Sequence, residues 1–158
     1  MRADPIGYAR SLGVKVGDDC RIDCRPDTFG TEPYLITLGD HVTVGPDVLF
    51  ITHDGGVWVV RDKKPAVDLV GKIVVGNNVF LGVRTVVLPG VTIGENSVIG
   101  AGSVVARNIP PNCVAAGVPC RPIRPISEYI KKIDEHGVDT KHLSSDNKRK
   151  FLEQYFAE

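Results

Sequence analysis

The sequence has no net charge: nineteen Lys and Arg residues balance nineteen Asp and Glu over 158 residues. Without a global field of one sign, neither nucleic acid nor an anionic membrane is drawn in by long-range attraction, so any anion site has to be local. Long apolar runs are also missing, and the opening MRADPIGYAR has no hydrophobic centre of the signal-peptide kind. The chain therefore reads as soluble and cytoplasmic, with no membrane insertion and no nucleic-acid partner. Cysteine is scarce, with residues at 20, 24, 113 and 120 and no Cys-x-x-Cys pair. A chain near the ~150 residues of one domain buries enough surface to fold without staples. All four cysteines are expected to be reduced, and no metal is assigned.

Glycine is abundant, at 17 of 158 residues against an ordinary ~7%, and 23 Val with 12 Ile add β-branched bulk. These residues fall on a period of six. From position 75, every sixth residue is aliphatic: Val75, Leu81, Val87, Ile93, Ile99 and Val105. The next position holds Gly76, Gly82, Leu88, Gly94, Gly100 and Ala106. Four residues after each aliphatic come Val79, Thr85, Val91, Ser97, Ser103 and Ile109. The phase also runs upstream through Val16, Ile22, Leu38, Val44 and Phe50, with breaks near 28–37 and 51–74. A helix repeats its apolar face every 3.6 residues and a strand every two, so a period of six requires a corner. A short strand plus a turn per hexad, three to a coil, makes a parallel β-helix of triangular section. In this reading the aliphatic points inward and glycine supplies backbone freedom at the corner. A many-stranded sandwich would not hold the phase from 75 to 110.

The ends depart from the period. Residues 127–136 and 144–156 carry helix formers, with Ser127 and Ser144 or Ser145 as N-caps. Phe151, Leu152, Tyr155 and Phe156 make an apolar stripe expected to cap the solenoid. Arg121 to Pro125, RPIRP, reads as a Pro-stiffened linker leaving the last coil. The organisation expected is an all-β prism over 1–126 with an excursion loop at about 54–72, then a short helical extension over 127–158.

The run KIVVGNNVFLGVRTVVLPGVTIGENSVIGAGSVVARNIPPNCVAAGVPCRPI, residues 72–123, resembles the hexapeptide-repeat acetyltransferases that use acetyl-CoA. Residues 32–56, EPYLITLGDHVTVGPDVLFITHDGG, bring it near the sugar and polysaccharide O-acetyltransferases, such as the maltose, galactoside and capsule enzymes. The resemblance covers about residues 14–124. It implies a left-handed winding, a homotrimer with active sites between neighbouring prisms, a saccharide acceptor, and acetyl-CoA as co-substrate.

On spacing alone, His53 in ITHDGG reads as a structural imidazole more readily than as a functional one; the resemblance reverses that reading, because it aligns His53 with the family's catalytic histidine. A neutral imidazole suits removal of a hydroxyl proton as the oxygen attacks a thioester. Asp54 and Glu32 can each orient that ring or bind acceptor hydroxyls. Trp58 and Arg61, in the excursion, can form a platform for a sugar ring. Phe80 is a further candidate substrate contact, at a position where relatives usually carry Trp and this sequence departs from them. For the cofactor, the resemblance points to backbone groups at Gly82, Ala101, Gly102 and Ser103, and Arg107, Arg121 and Arg124 are candidates for its phosphates. His41, His136 and His142 read as structural or surface.

Other functions remain open at this stage: N-acetylation of an amino sugar, a non-catalytic scaffold prism, or a zinc-dependent carbonic anhydrase on the same fold. The last needs three imidazoles round a metal, and only His41 and His53 lie in the prism. A sugar nucleotidyltransferase with an appended prism leaves no residues for its first domain.

Overall fold

The computed structural model describes residues 4–23, 25 and 27–157. A first helix, α1 (Pro5–Ser11), is capped by the Asp4 carboxylate, which accepts from Gly7 N at 2.8 Å. It leads into a first coil, β1 (Lys15–Val16) and β2 (Arg21–Ile22). The second coil is β3 (Ile36–Leu38), β4 (Thr43–Val44) and β5 (Leu49–Phe50). The third is β6 (Ile73–Val75), β7 (Val79–Leu81) and β8 (Val86–Val87). The fourth is β9 (Thr92–Ile93), β10 (Ser97–Ile99) and β11 (Val104–Val105). The chain ends with β12 (Cys113–Gly117), β13 (Cys120–Pro125), α2 (Ile126–His136) and α3 (Ser145–Tyr155).

The strands stack into three sheets, one per prism side: β1-β3-β6-β9, then β2-β4-β7-β10-β12-β13, then β5-β8-β11. All pairings are parallel except that of β12 with β13. Val74 pairs with Thr92, Phe80 with Val98 and Val86 with Val104, each eighteen residues on, which is three hexads to a coil. Between the second and third coils the step is thirty-seven, as in Thr43 with Phe80. The extra nineteen residues are the length of the excursion, 54–72.

The aliphatic column lies inside: Val75, Leu81, Val87, Ile93, Ile99 and Val105 are each 1% exposed or less. Each such side chain adds roughly 1.5–3 kcal/mol of hydrophobic stabilisation. The column four residues on is buried too, with Thr85 and Ser103 bonding their hydroxyls to corner carbonyls of Gly82 and Gly100 at 2.7 and 2.6 Å.

The corner glycines act differently from expectation. Gly76 and Gly82 have no positive φ; a Cβ on Gly82 would stand 2.6 Å from Ala101 N and one on Gly76 2.8 Å from Glu95 N, both backbone of the next coil. Close coil stacking, not backbone freedom, excludes a side chain there. The left-handed residues sit two places later, at Asp19, His41, Asp47, Asn78, Arg84 and Asn96, and Asn and Asp tolerate that region because their short polar side chains bond locally. Three of them form a ladder up one prism edge. His41 Nδ1 meets Asn78 Oδ1 at 2.8 Å, Asn78 Nδ2 donates to Asn96 at 2.9 Å, and Asn96 Nδ2 donates to Asn112 at 3.1 Å.

The ends differ from expectation as well. RPIRP is not a free linker: it belongs to β13, at the edge of the six-stranded sheet, where proline's missing N–H is tolerated. α1 covers the first coil, with Ala9 buried and Arg10 Nη2 donating to Val16 O at 2.9 Å. At the other end α2 packs on β12 and β13. The α3 stripe is not buried in the solenoid: none of the described α3 residues is buried. Phe151, Tyr155 and Phe156 pack on one another, at ring separations of 6.0 and 5.0 Å, and stay exposed. Cys20, Cys113 and Cys120 are buried free thiols, and burial pushes the Cys120 thiol above its ordinary range; Cys24 lies outside the described residues.

Candidate active site

Among the described residues the first coil has no strand on its third side. Residues 27–35 cross there instead, seated on β5: the Phe29 ring stacks on Phe50 at 5.7 Å, and Phe50 N donates to Thr28 O at 2.8 Å. Gly30 makes the turn at φ +61, with a Cβ position only 2.9 Å from Phe50 O. This seating delivers Thr31 and Glu32 to the end of β5, where Thr52 and His53 lie.

Glu32 Oε2 meets His53 Nδ1 at 3.1 Å, and the Thr31 hydroxyl lies at the same distance from that nitrogen. Glu32 is held by two hydroxyl donors. Thr52 Oγ1 donates to Oε2 at 2.5 Å and Thr31 Oγ1 to Oε1 at 2.8 Å. The Thr52 hydroxyl first, then His53, hold the Glu32 carboxyl below its ordinary range. An ionised Glu32 accepts only, so the proton between the pair belongs on Nδ1 and the lone pair on Nε2. The His53 side chain is 45% exposed, and Nε2 has no hydrogen-bond partner among the described residues.

Asp54 turns away from this cluster. Its carboxylate accepts from Gly56 N at 2.8 Å and caps the 3-10 turn Gly55–Val60. Its own N–H donates to Leu69 O at 2.8 Å, and His53 bridges antiparallel to Val70, so both ends of the excursion are clamped beside the imidazole. Trp58 stands on that turn, 78% exposed. Arg61 is committed elsewhere: its guanidinium donates to Val67 O at 2.8 Å and to Asp68 at 3.0 Å, tying the loop to itself.

Of the residues expected to hold the cofactor, Gly82 and Ala101 lie on another side of the prism from His53, whereas Arg107 follows β11 at the corner that His53 occupies after β5. A groove of about 570 Å³ crosses the six-stranded sheet, lined by Thr43, Pro46, Phe80, Gly82, Val83, Val98 and Ala101 among others. Within this single prism Phe80 thus shares a groove with Gly82 and Ala101. Gly102 is an exposed left-handed corner residue at φ +70. Ser103 is fully buried; its hydroxyl donates to Gly100 O and accepts from Gly117 N at 3.1 Å. Arg121 and Arg124 sit exposed on edge strand β13, and Arg107 on the corner after β11. Among the described residues no group of three or more His, Cys, Asp or Glu could hold a metal ion.

Residues 72–107 match the bacterial transferase hexapeptide family model of six repeats. Protein CapG of Staphylococcus aureus is 49% identical over 150 residues, spanning 94% of this chain and 87% of CapG. The chain belongs to the bacterial hexapeptide-repeat transferases. The galactoside O-acetyltransferase of Escherichia coli K12 is 48% identical over 101 residues, 63% of this chain and 49% of that enzyme. A solved galactoside acetyltransferase in complex with coenzyme A superposes with a TM-score of 0.59 at 36% identity, over 84% of this chain and 61% of that one. The chain thus spans most of CapG and about half of the galactoside enzyme, and it falls in the sugar acetyltransferase branch of the family.

In this hexapeptide-repeat transferase, sequence reasoning placed Glu32 only as one of two possible carboxylates, and passed over Thr31 and Thr52. Their signal is faint: Thr31 and His53 are twenty-two residues apart, the step by which Lys15 pairs with Thr37 between the first two coils. The hexad count skips the irregular side on which Thr31 and Glu32 sit.

Proposed function

We propose that this protein transfers an acetyl group from acetyl-CoA to a hydroxyl of a sugar or polysaccharide precursor, with His53 as general base. The observation that carries this reading is the His53 ring, anchored through Nδ1 to Glu32 and open at Nε2 beside a clamped loop. Nε2 takes the acceptor hydroxyl proton as the oxygen attacks the thioester carbonyl. The tetrahedral oxyanion then collapses, the carbon–sulfur bond breaks, and the proton passes from the imidazolium to the departing thiolate. A thiolate leaves more readily than an alkoxide, so no strong additional acid is needed. Glu32 supports the imidazolium formed at the midpoint. Trp58 offers a flat apolar face to an acceptor ring, and the sugar branch of the family supplies the acceptor class.

The test is release of free thiol from acetyl-CoA across a panel of saccharide acceptors. Turnover above the acceptor-free rate with at least one sugar is expected. Binding of CoA with no acceptor-dependent release by any saccharide would remove the sugar assignment.

The coils wind left-handed, as the family does, and the chain works as a homotrimer. His53 follows β5, at the corner where the chain leaves for β6, whereas Gly45, Gly82 and Gly100 line the groove at the corner after β4, β7 and β10. A base and a donor groove on different corners of one prism meet most simply across two neighbouring prisms. Light scattering is expected to give three times the 17.1 kDa chain mass; a monomer at micromolar concentration would contradict the assembly.

A further inference from the structure

We infer that Thr52 is a positioning residue for the acetyl transfer: its buried hydroxyl fixes the Glu32 carboxylate on His53 Nδ1, so that Nε2 is the atom that takes the acceptor proton. The inference rests on His53 being the general base. Thr52 is 1% exposed, yet its hydroxyl serves no turn. Thr85, Ser97 and Ser103, buried hydroxyls of the repeat, all donate to backbone carbonyls of the corners. Thr52 donates instead to a carboxylate oxygen, and to the same one that His53 approaches. Its backbone is fixed independently, since Thr52 O accepts from Gly71 N at 2.8 Å at the foot of the excursion.

The geometry gives the hydroxyl a specific task. Oε2 receives the Thr52 hydroxyl and the Nδ1 proton, while Oε1 receives Thr31, so the carboxylate is pinned at both oxygens. Without Thr52 the carboxylate keeps only the Thr31 hydroxyl and the ring itself, and the donor that fixes Oε2 independently of the ring is lost. The ring then loses the fixed acceptor that selects its tautomer, and a proton on Nε2 removes the base from the reaction.

The test compares Thr52→Val, Thr52→Ala and Thr52→Ser with wild type and His53→Ala, reading kcat, the acetyl-CoA KM, and the His53 tautomer from nitrogen NMR of ¹⁵N-histidine-labelled protein. Removing the hydroxyl is expected to lower kcat by ~10–100-fold, the scale on which small misplacements of a reacting group act, with the acetyl-CoA KM close to wild type. His53 is expected to change from a single Nδ1–H tautomer to a mixture, and Thr52→Ser to restore both the rate and the tautomer. Valine and alanine variants with wild-type kcat and an unchanged tautomer would overturn the inference while leaving the His53 reading standing. Full activity in His53→Ala would overturn both. Should the valine variant not fold, the alanine and serine variants give the same contrast.

Discussion

His53→Ala is expected to lower kcat by ~10²–10⁴, the usual range for removing a positioned general base, with the protein still folded and still binding acetyl-CoA. The three parts of that expectation come from different places in the structure. The loss is chemical because the ring is the group with a free proton acceptor beside the excursion. The fold survives because His53 is half exposed and contributes nothing to the aliphatic column. Cofactor affinity survives because the groove proposed for acetyl-CoA is lined by Phe80, Gly82, Ala101 and their neighbours, and His53 is not among the residues that line it. Loss of kcat with KM held marks an interaction made in the transition state, not in the bound ground state. A collapse of acetyl-CoA binding with kcat maintained would instead make His53 a binding residue.

Ile99→Asp is expected to abolish the folded state. Ile99 is fully buried at the centre of the six-stranded sheet, in register with Leu81 on one side and Ala115 on the other. A carboxylate there has no partner and no water, a change of the class that exceeds about 4 kcal/mol. Natural domains hold about 5–15 kcal/mol in total, and the stacked coils share one core, so the loss is not confined to one coil. The control is Ile99→Val, which removes one methylene group and should cost about 0.5–1.5 kcal/mol. Circular dichroism and thermal melting distinguish the two. An aspartate variant melting like wild type would place Ile99 on the surface and void the hexad assignment.

The architecture was legible because a period of six is a geometric statement. Once Val75, Leu81, Val87, Ile93, Ile99 and Val105 share one direction, three sides and an eighteen-residue coil follow. The excursion was legible for the same reason, as the residues left over when the phase resumes. The role of glycine was misread because the sequence shows which residue is small but not what approaches it; the neighbour that excludes a side chain at Gly82 is backbone nineteen residues away. The strand β13 was hidden by its prolines, which are admissible only because it is an edge.

The site was legible in one residue and not in its surroundings. His53 was marked by the family's motif and by its place at a break in the phase. Its partner was ambiguous because the neighbour in sequence, Asp54, spends its carboxylate on Gly56 N, while Glu32 arrives from the preceding coil. Such contacts depend on how the irregular side of the first coil seats on β5 through Phe29 and Phe50. The local ties of Arg61 were hidden for a related reason: its acceptors are carbonyls and the Asp68 carboxylate of its own loop, which no periodic pattern encodes.

The most direct measurement is analysis of the saccharide product after incubation with acetyl-CoA, for wild type and His53→Ala in parallel. The account predicts one acetyl unit on the sugar, carried as an ester that mild hydroxylamine removes, and formed by wild type but not at a comparable rate by the variant. An amide-linked acetyl group stable to hydroxylamine, or equal ester formation by both proteins, would contradict it.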